Sequence, residues 1–235
     1  MITKIIIDEK GNIYHYKKGD FHTHFGVLKE KDIISGIIKS NLGKEFILFD
    51  ASFIDNIHTI KRGPAISHYK DIGLIMTTTG VGVKSKVVDA GSGCGNLSSS
   101  LARIGCDVTT YEINPEFYKI AKENIENLKL KVKIKNQDIY EGINEKNLDL
   151  ITLDLLEPWR VTENAFKALK SGSFLVAYLP TITQVIEFTK SLENKFYLWK
   201  VSEVIERKWH VESLKVRPEN QMLGHTAFLV FARKI

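Results

Sequence analysis

The chain has little cysteine, no long apolar run and no concentration of charge, and each of these lacks excludes something. Only Cys94 and Cys106 occur in 235 residues. Two thiols build neither a disulfide framework nor a four-ligand zinc site, so a reducing cytoplasm is the expected setting. The longest apolar runs, such as Phe174–Leu179 and Ala227–Ala232, are strand-sized. They fall far short of the roughly 20 residues a spanning helix needs, so no membrane association is expected. The opening stretch is apolar only over Ile5–Ile7 before acidic residues begin, which does not fit a secretory signal. There is no basic tail, no internal repeat and no low-complexity tract. His22 and His24 are spaced like a metal pair but lack a third ligand nearby, and no metal is expected.

What remains is ordinary for a folded protein. Hydrophobic residues make up 43% and charged residues 26% of the chain, enough to bury a core. The length suits one large α/β domain, or a medium domain with a small one. The net charge of +5 is a mild pointer to a polyanionic partner. Because the charge is spread along the chain, folding must assemble any such surface.

Two textures divide the sequence. Up to about residue 60 there are short β-type runs (Thr3–Ile7, Asn12–Tyr16, Lys44–Phe49) separated by turn signals at Gly11, Gly19 and Gly43. A small antiparallel β domain over residues 1–65 is expected, with a junction near Lys61-Arg-Gly-Pro64. From about residue 66 the pattern alternates. Helices are expected over Tyr69–Thr78, Leu97–Ile104, Pro115–Leu128, Thr162–Leu169 and Ile182–Leu192. Strands are expected over Lys86–Ala90, Asp107–Glu112, Lys131–Asn136, Leu148–Asp154, Ser173–Leu179, Tyr197–Trp209 and Thr226–Lys234. Such alternation specifies a parallel sheet covered on both faces, and the last strand, lacking a crossover helix, should run antiparallel. Lys129, Lys131, Lys133 and Lys135 alternate with apolar residues and read as protection of an edge strand rather than as a nucleic-acid stripe.

The strongest chemical signal is Val87-Val-Asp-Ala-Gly-Ser-Gly-Cys-Gly95. A buried strand ends in Asp89, and Gly91, Gly93 and Gly95 let the backbone turn tightly and approach a ligand closely. A dinucleotide fingerprint would need glycine where Asn96 stands. The pattern D-x-G-x-G-x-G instead resembles motif I of class I S-adenosylmethionine-dependent methyltransferases. That resemblance implies a cofactor site built from Asp89, Gly91, Ser92, Gly93, Gly95, Asn96 and Leu97. Glu112 and Ile113 follow the next strand, where a carboxylate accepts from ribose hydroxyls, and Asp138 follows the third, near the adenine. Asp154 ends the fourth strand beside the glycine loop, where reacting groups gather in an open α/β sheet.

Over nearly its whole length the chain resembles one family, the one-subunit tRNA (adenine-N1)-methyltransferases that act at position 58 of the T-loop. The resemblance is carried by Gly26-Val-Leu-Lys-Glu-Lys-Asp-Ile-Ile-Ser-Gly36, Lys61-Arg-Gly63, Lys70-Asp71 and Asp89-Ala-Gly-Ser-Gly93. It continues in Asp154-Leu-Leu-Glu-Pro-Trp159, Ala177-Tyr-Leu-Pro-Thr181 with Gln184-Val185, Arg217-Pro-Glu219 and Gly224-His-Thr226. The family box before Lys70 usually carries Gln and Tyr. Here Ala65 and His68 hold those positions, and Tyr69 stands where Pro is common. The resemblance implies a Rossmann-like seven-stranded sheet in a domain over residues 66–235. It also implies S-adenosylmethionine as cofactor, tRNA as partner and a homotetramer, with adenosine 57 as a second target in archaeal relatives. In this reading Asp154 accepts from the adenine amino group and stabilises the charge that develops on the ring. His68, Tyr69 and Trp159 hold the unstacked base. The stretch after Tyr197 brings Trp209, His210, Arg217 and His225 toward the cofactor end or a subunit contact. The alternatives are a methyltransferase acting on protein or a small molecule, and a non-catalytic tRNA-binding subunit.

Overall fold

The structure, a computed structural model, describes residues 1–63 and 66–235. The described residues form two compact units, Met1–Lys61 and Arg62–Ile235.

In the first unit β1 (Lys4–Asp8), β2 (Ile13–Tyr16), β3 (Phe21–Thr23), β4 (Gly26–Leu28), β5 (Gly36–Lys39) and β6 (Glu45–Asp50) are followed by a short helix, α1 (Phe53–Ile57). The antiparallel sheet has the order β2-β1-β6-β5, and β3 pairs with β4 as a separate ribbon. Asp8 organises the first turn by accepting from the amides of Lys10 and Asn12, the Asn12 side chain and the Tyr14 hydroxyl. These donors hold its carboxyl down at about 2 despite the opposing effect of burial. Ile6, Phe46, Leu48, Tyr16 and Leu28 form the core. Strands β3, β4 and β5 and helix α1 are not among the expected elements. They are three to five residues long, too short for any periodicity to register.

The second unit contains α2 (Tyr69–Thr79), β7 (Lys86–Ala90), α3 (Asn96–Arg103), β8 (Asp107–Tyr111), α4 (Pro115–Asn127), β9 (Val132–Lys135) and β10 (Leu148–Leu153). These are followed by α5 (Thr162–Ala168), β11 (Leu169–Leu179), α6 (Ile182–Ser191), β12 (Phe196–Ser202), β13 (Trp209–Glu212), β14 (Lys215–Pro218) and β15 (Phe228–Lys234). The seven-stranded sheet has the order β12-β15-β11-β10-β7-β8-β9. Strands β7 to β11 pair in parallel, while β15 runs antiparallel to both neighbours. This is the α/β architecture expected of the alternating pattern, including its reversed last strand. Adjacent residues of the central strands enter opposite cores. Val88, Ile151 and Val230 pack with Ala165 and Phe188 on one side, and Val87, Leu150 and Leu229 with Ile75 and Leu101 on the other. Burial on both faces explains the continuous apolar runs.

The β9 strand does lie at the sheet edge, with Lys133 near Asp107 at 3.7 Å and Lys135 on Glu145 at 2.7 Å. The strand expected over Tyr197–Trp209 ends at Ser202 instead. Its partner β15 begins at Phe228 and the last pair of the ladder is Ser202 with Leu229, so the ladder runs out before the charged stretch after Glu203. Trp209 opens a separate hairpin, β13–β14, turning at Ser213 with φ 51°. Among the described residues no helix is long and apolar enough to cross a membrane.

Candidate active site

The glycine loop leaves β7 and enters α3 through three left-handed residues, Gly91, Gly93 and Gly95, at φ 87°, 53° and 82°. Gly91 admits no side chain, because a Cβ there would lie 2.0 Å from the Asp154 carbonyl oxygen. This close approach brings the start of the loop against the end of β10. The loop is tied from below. Asp89, 2% exposed, accepts from Thr110 on β8 at 2.9 Å and from Thr152 on β10 at 2.8 Å. Burial raises its carboxyl to about 6 against the opposing pull of these hydroxyls. Ser92 shares a 2.6 Å hydrogen bond with the Thr110 hydroxyl. Asp89 and Ser92 thus hold the loop to the two strands that flank β7. The Leu97 side chain is buried in the core, so only its backbone, in the first turn of α3, remains for a ligand.

Glu112, just past β8, receives the Gly93 amide on Oε2 at 3.0 Å and the Asn114 amide on Oε1 at 2.9 Å. Each oxygen keeps lone-pair capacity for ribose hydroxyls. Glu112, Ile113, Gln137, Asp138, Ile139, Tyr140 and Leu155 line a slot that begins at Gly91. Asp138 accepts the Tyr140 amide on one oxygen. Asn96 is 2% exposed and donates to the Ser67 carbonyl at 2.7 Å, yet its buried Oδ1 has no partner among the described residues. A buried orphan acceptor beside a glycine cradle fits a ligand that brings an ammonium group. The successive strand ends thus bring together Gly91, Glu112, Ile113 and Asp138 as the spacing predicts.

Beside this slot a second cleft of about 420 Å³ is lined by Ile66, His68, Asp154, Tyr178, Pro180, Leu223, His225 and Thr226. The amide of Asp154 is held by the Ala90 carbonyl at 2.9 Å, while its carboxyl has no hydrogen-bond partner among the described residues. Burial, with Asp89 and Glu112 as nearby like charges, pushes that carboxyl up to about 7. A carboxyl poised near neutrality and open to a cleft is a group able to receive a donor or a developing positive charge. His225 sits between Glu203 Oε2, 2.8 Å from Nδ1, and the Pro180 carbonyl oxygen, 3.1 Å from Nε2. Both partners are acceptors, so the imidazolium satisfies both. Its pKa is raised, by Glu203 first and by the Pro180 carbonyl second.

His68, Asp154 and His225, far apart in sequence, therefore face one cleft. Tyr69 opens α2 and lies instead near Cys94 and Arg62, where burial first of all raises its phenol. Trp159, in the turn Pro158–Val161, packs half-buried against the core. Neither lines the cleft. Trp209, His210 and Arg217 stand exposed on the β13–β14 hairpin. Ala65 lies outside the described residues. Tyr178 and Thr226 line the cleft although nothing about their types or spacing singled them out. Their positions flank His225 and Pro180 in two stretches that carried the family resemblance, which was the available signal. Cys94 and Cys106 are buried free thiols. No group of three or more metal-ligating side chains occurs among the described residues.

Residues 58–217 match the family described as the tRNA methyltransferase complex GCD14 subunit. The chain is 35% identical to the tRNA (adenine(57)-N(1)/adenine(58)-N(1))-methyltransferase TrmI of Methanocaldococcus jannaschii, over 98% of this chain and 94% of that one. The solved structure of tRNA (m1A58) methyltransferase TrmI from Aquifex aeolicus superposes with a TM-score of 0.84 at 30% identity, covering 99% of this chain and 96% of that one. An S-adenosylmethionine-dependent O-methyltransferase from Thermotoga maritima superposes with a TM-score of 0.87 at 30% identity, covering 100% and 93%. The glycine loop, the strand-end carboxyls and these likenesses agree, and the chain belongs to the GCD14 family of tRNA methyltransferase proteins.

Proposed function

We propose that the protein transfers a methyl group from S-adenosylmethionine to N1 of adenosine 58 in the T-loop of tRNA, and of adenosine 57 where that base is present. The observation that carries this reading is the unpartnered, partly ionisable carboxyl of Asp154 beside the glycine loop. When bound, S-adenosylmethionine supplies an electrophilic methyl group. The residues present suit it: Gly91, Gly93, Gly95 and Asn96 would hold its amino-acid tail, Glu112 and Ile113 its ribose, and Asp138 its adenine.

Adenine N1 already carries a lone pair at neutral pH, so no strong base is needed. The work left to the protein is extraction of a stacked base, orientation, and stabilisation of the positive charge that grows on the ring. Unstacking costs about a few kcal/mol. Asp154 accepts from the exocyclic amino group and stabilises the cationic ring. Holding N1 in line with the methyl carbon contributes by proximity. His68 replaces the family's usual tyrosine against the base, while Tyr69 and Trp159 lie outside the cleft. The retained glycine loop and Asp154 argue against a non-catalytic subunit.

The active species in this proposal is a cytoplasmic homotetramer binding tRNA across subunits. Four copies of a chain of net charge +5 suit a polyanion. The decisive assay incubates the enzyme and S-adenosylmethionine with a T-loop transcript, or with the same transcript carrying guanosine at position 58 and no adenosine at 57. Methylation of the first alone, as 1-methyladenosine, supports the reading. Transfer to a protein extract or a small hydroxylated acceptor instead of tRNA overturns it.

A further inference from the structure

A polar cluster built around a buried carboxylate forms part of the wall of the Asp154 cleft. Its centre is Asp71, in the first turn of α2 and 0% exposed. Oδ2 accepts from the Tyr178 hydroxyl at 3.0 Å and from the Thr226 hydroxyl at 2.7 Å. Oδ1 accepts from the Lys70 ammonium at 2.8 Å, and the same ammonium donates to Thr226 Oγ1 at 2.5 Å. These contacts join α2, the end of β11 and the chain entering β15. Every hydrogen is assigned by the chemistry of the groups. An ionised carboxylate only accepts and an ammonium only donates, so both hydroxyls must donate inward to Asp71. Thr226 then spends a lone pair on Lys70. The phenol oxygen of Tyr178, its hydrogen committed, has only lone pairs left for the cleft.

Tyr178 shares that cleft with Asp154. We infer that Asp71 is a positioning residue that turns the Tyr178 hydroxyl inward, so that Tyr178 and Asp154 together form an acceptor pair for the two hydrogens of one amino group. The inference rests on the proposed transfer to adenosine and deepens it, because it says how the 6-position of the base is recognised. An adenine amino group brings two N–H donors and satisfies both acceptors. A 6-oxo purine brings an acceptor against two acceptors, and a purine with hydrogen at position 6 leaves both unpaired. The competing explanation is that the cluster merely fastens α2 to the sheet.

The two explanations differ in a ratio. T-loop transcripts are made with adenosine or with purine riboside at the target position, and single-turnover methylation is measured for the wild type, Asp71→Asn and Tyr178→Phe. The intrinsic difference in ring nucleophilicity is the same for all three proteins, so changes in the adenosine-to-purine ratio report the amino contacts. In Asp71→Asn the new amide donates toward Tyr178 and frees its hydroxyl to point a hydrogen at the cleft. Both variants are expected to lower the ratio about tenfold, the contribution of one hydrogen bond, while calorimetry shows unchanged affinity for S-adenosylmethionine. Folded variants that lose rate equally on both transcripts, or that lose nothing, overturn the inference in favour of simple fastening. If Asp71→Asn does not fold, Tyr178→Phe decides alone, and an unchanged ratio overturns it. A wild type that binds cofactor but methylates neither transcript refutes the adenosine reading itself, and the inference falls with it.

Discussion

Replacing Asp154 by Asn should make the protein more stable and almost inactive at once. The carboxyl lies near Asp89 and Glu112 in a largely desolvated position, and its pKa is carried from the ordinary 3.8 to about 7. A folded-state value above the unfolded one means that the native protein holds the proton longer. Between pH 4 and 7 the folded chain therefore binds more protons than the unfolded chain, and stability falls as pH rises through that window. Above it the ionised carboxylate costs a constant amount. The full displacement bounds this cost at about 4 kcal/mol. Because one side opens to the cleft, solvent screening brings the expected value nearer about 1–2 kcal/mol. Asn removes the charge and keeps the shape. At pH 8 its melting temperature should exceed that of the wild type by about 2–6 °C for a chain of this size. The difference should shrink steadily from pH 7 to pH 4. At pH 8, where the wild-type carboxyl is ionised, kcat should be lower by about 10²–10⁴, a deficit that narrows as the wild type takes up its proton, with cofactor affinity within a few-fold, since the glycine loop and Glu112 are untouched. Thermal melts at pH 4, 6 and 8 beside single-turnover methylation of a T-loop transcript make the test. A mutant that melts like the wild type at every pH, or that turns over at the wild-type rate, refutes the assignment of a strained catalytic carboxylate.

Glu112→Ala should weaken S-adenosylmethionine binding by about 1–3 kcal/mol, since it removes the ribose acceptor and releases the Gly93 amide that it holds; calorimetry on the free enzyme reads this directly. Gly91→Ala drives a Cβ to 2.0 Å from the Asp154 carbonyl oxygen, and should cost about 2–5 kcal/mol from overpacking and left-handed strain together, with loss of both cofactor binding and turnover; a normal melting temperature would contradict it. The His225 ring should titrate above 6.5 by NMR and move down in Glu203→Gln, because the neutral amide no longer favours the imidazolium. Affinity for tRNA should fall steeply with salt, whereas cofactor affinity should not, if phosphate contacts dominate the complex.

Much of this protein is legible without a structure. The β7 strand, its three glycines and the acids after β8, β9 and β10 each follow directly on their own strand, and a parallel sheet gathers those carboxyl ends along one edge, β8 and β9 to one side of β7 and β10 to the other. Local pattern therefore suffices there. The sheet's direction rules come from the same source, since helices between strands force parallel crossovers and their absence permits the reversal of β15. Tertiary structure decided the rest. The short strands β3, β4 and β5 and the break after Ser202 depend on which partner strand is present, and pairing across distance leaves little trace in composition. The character of Asp154 depends on burial beside Asp89 and Glu112, which meet it only after folding. The cluster of Lys70, Asp71, Tyr178 and Thr226 spans more than 150 positions of chain. Each member reads alone as an ordinary polar residue. Its chemistry arises because a buried carboxylate must collect donors, and only the packing of α2 against β11 and β15 determines which hydroxyls those donors are.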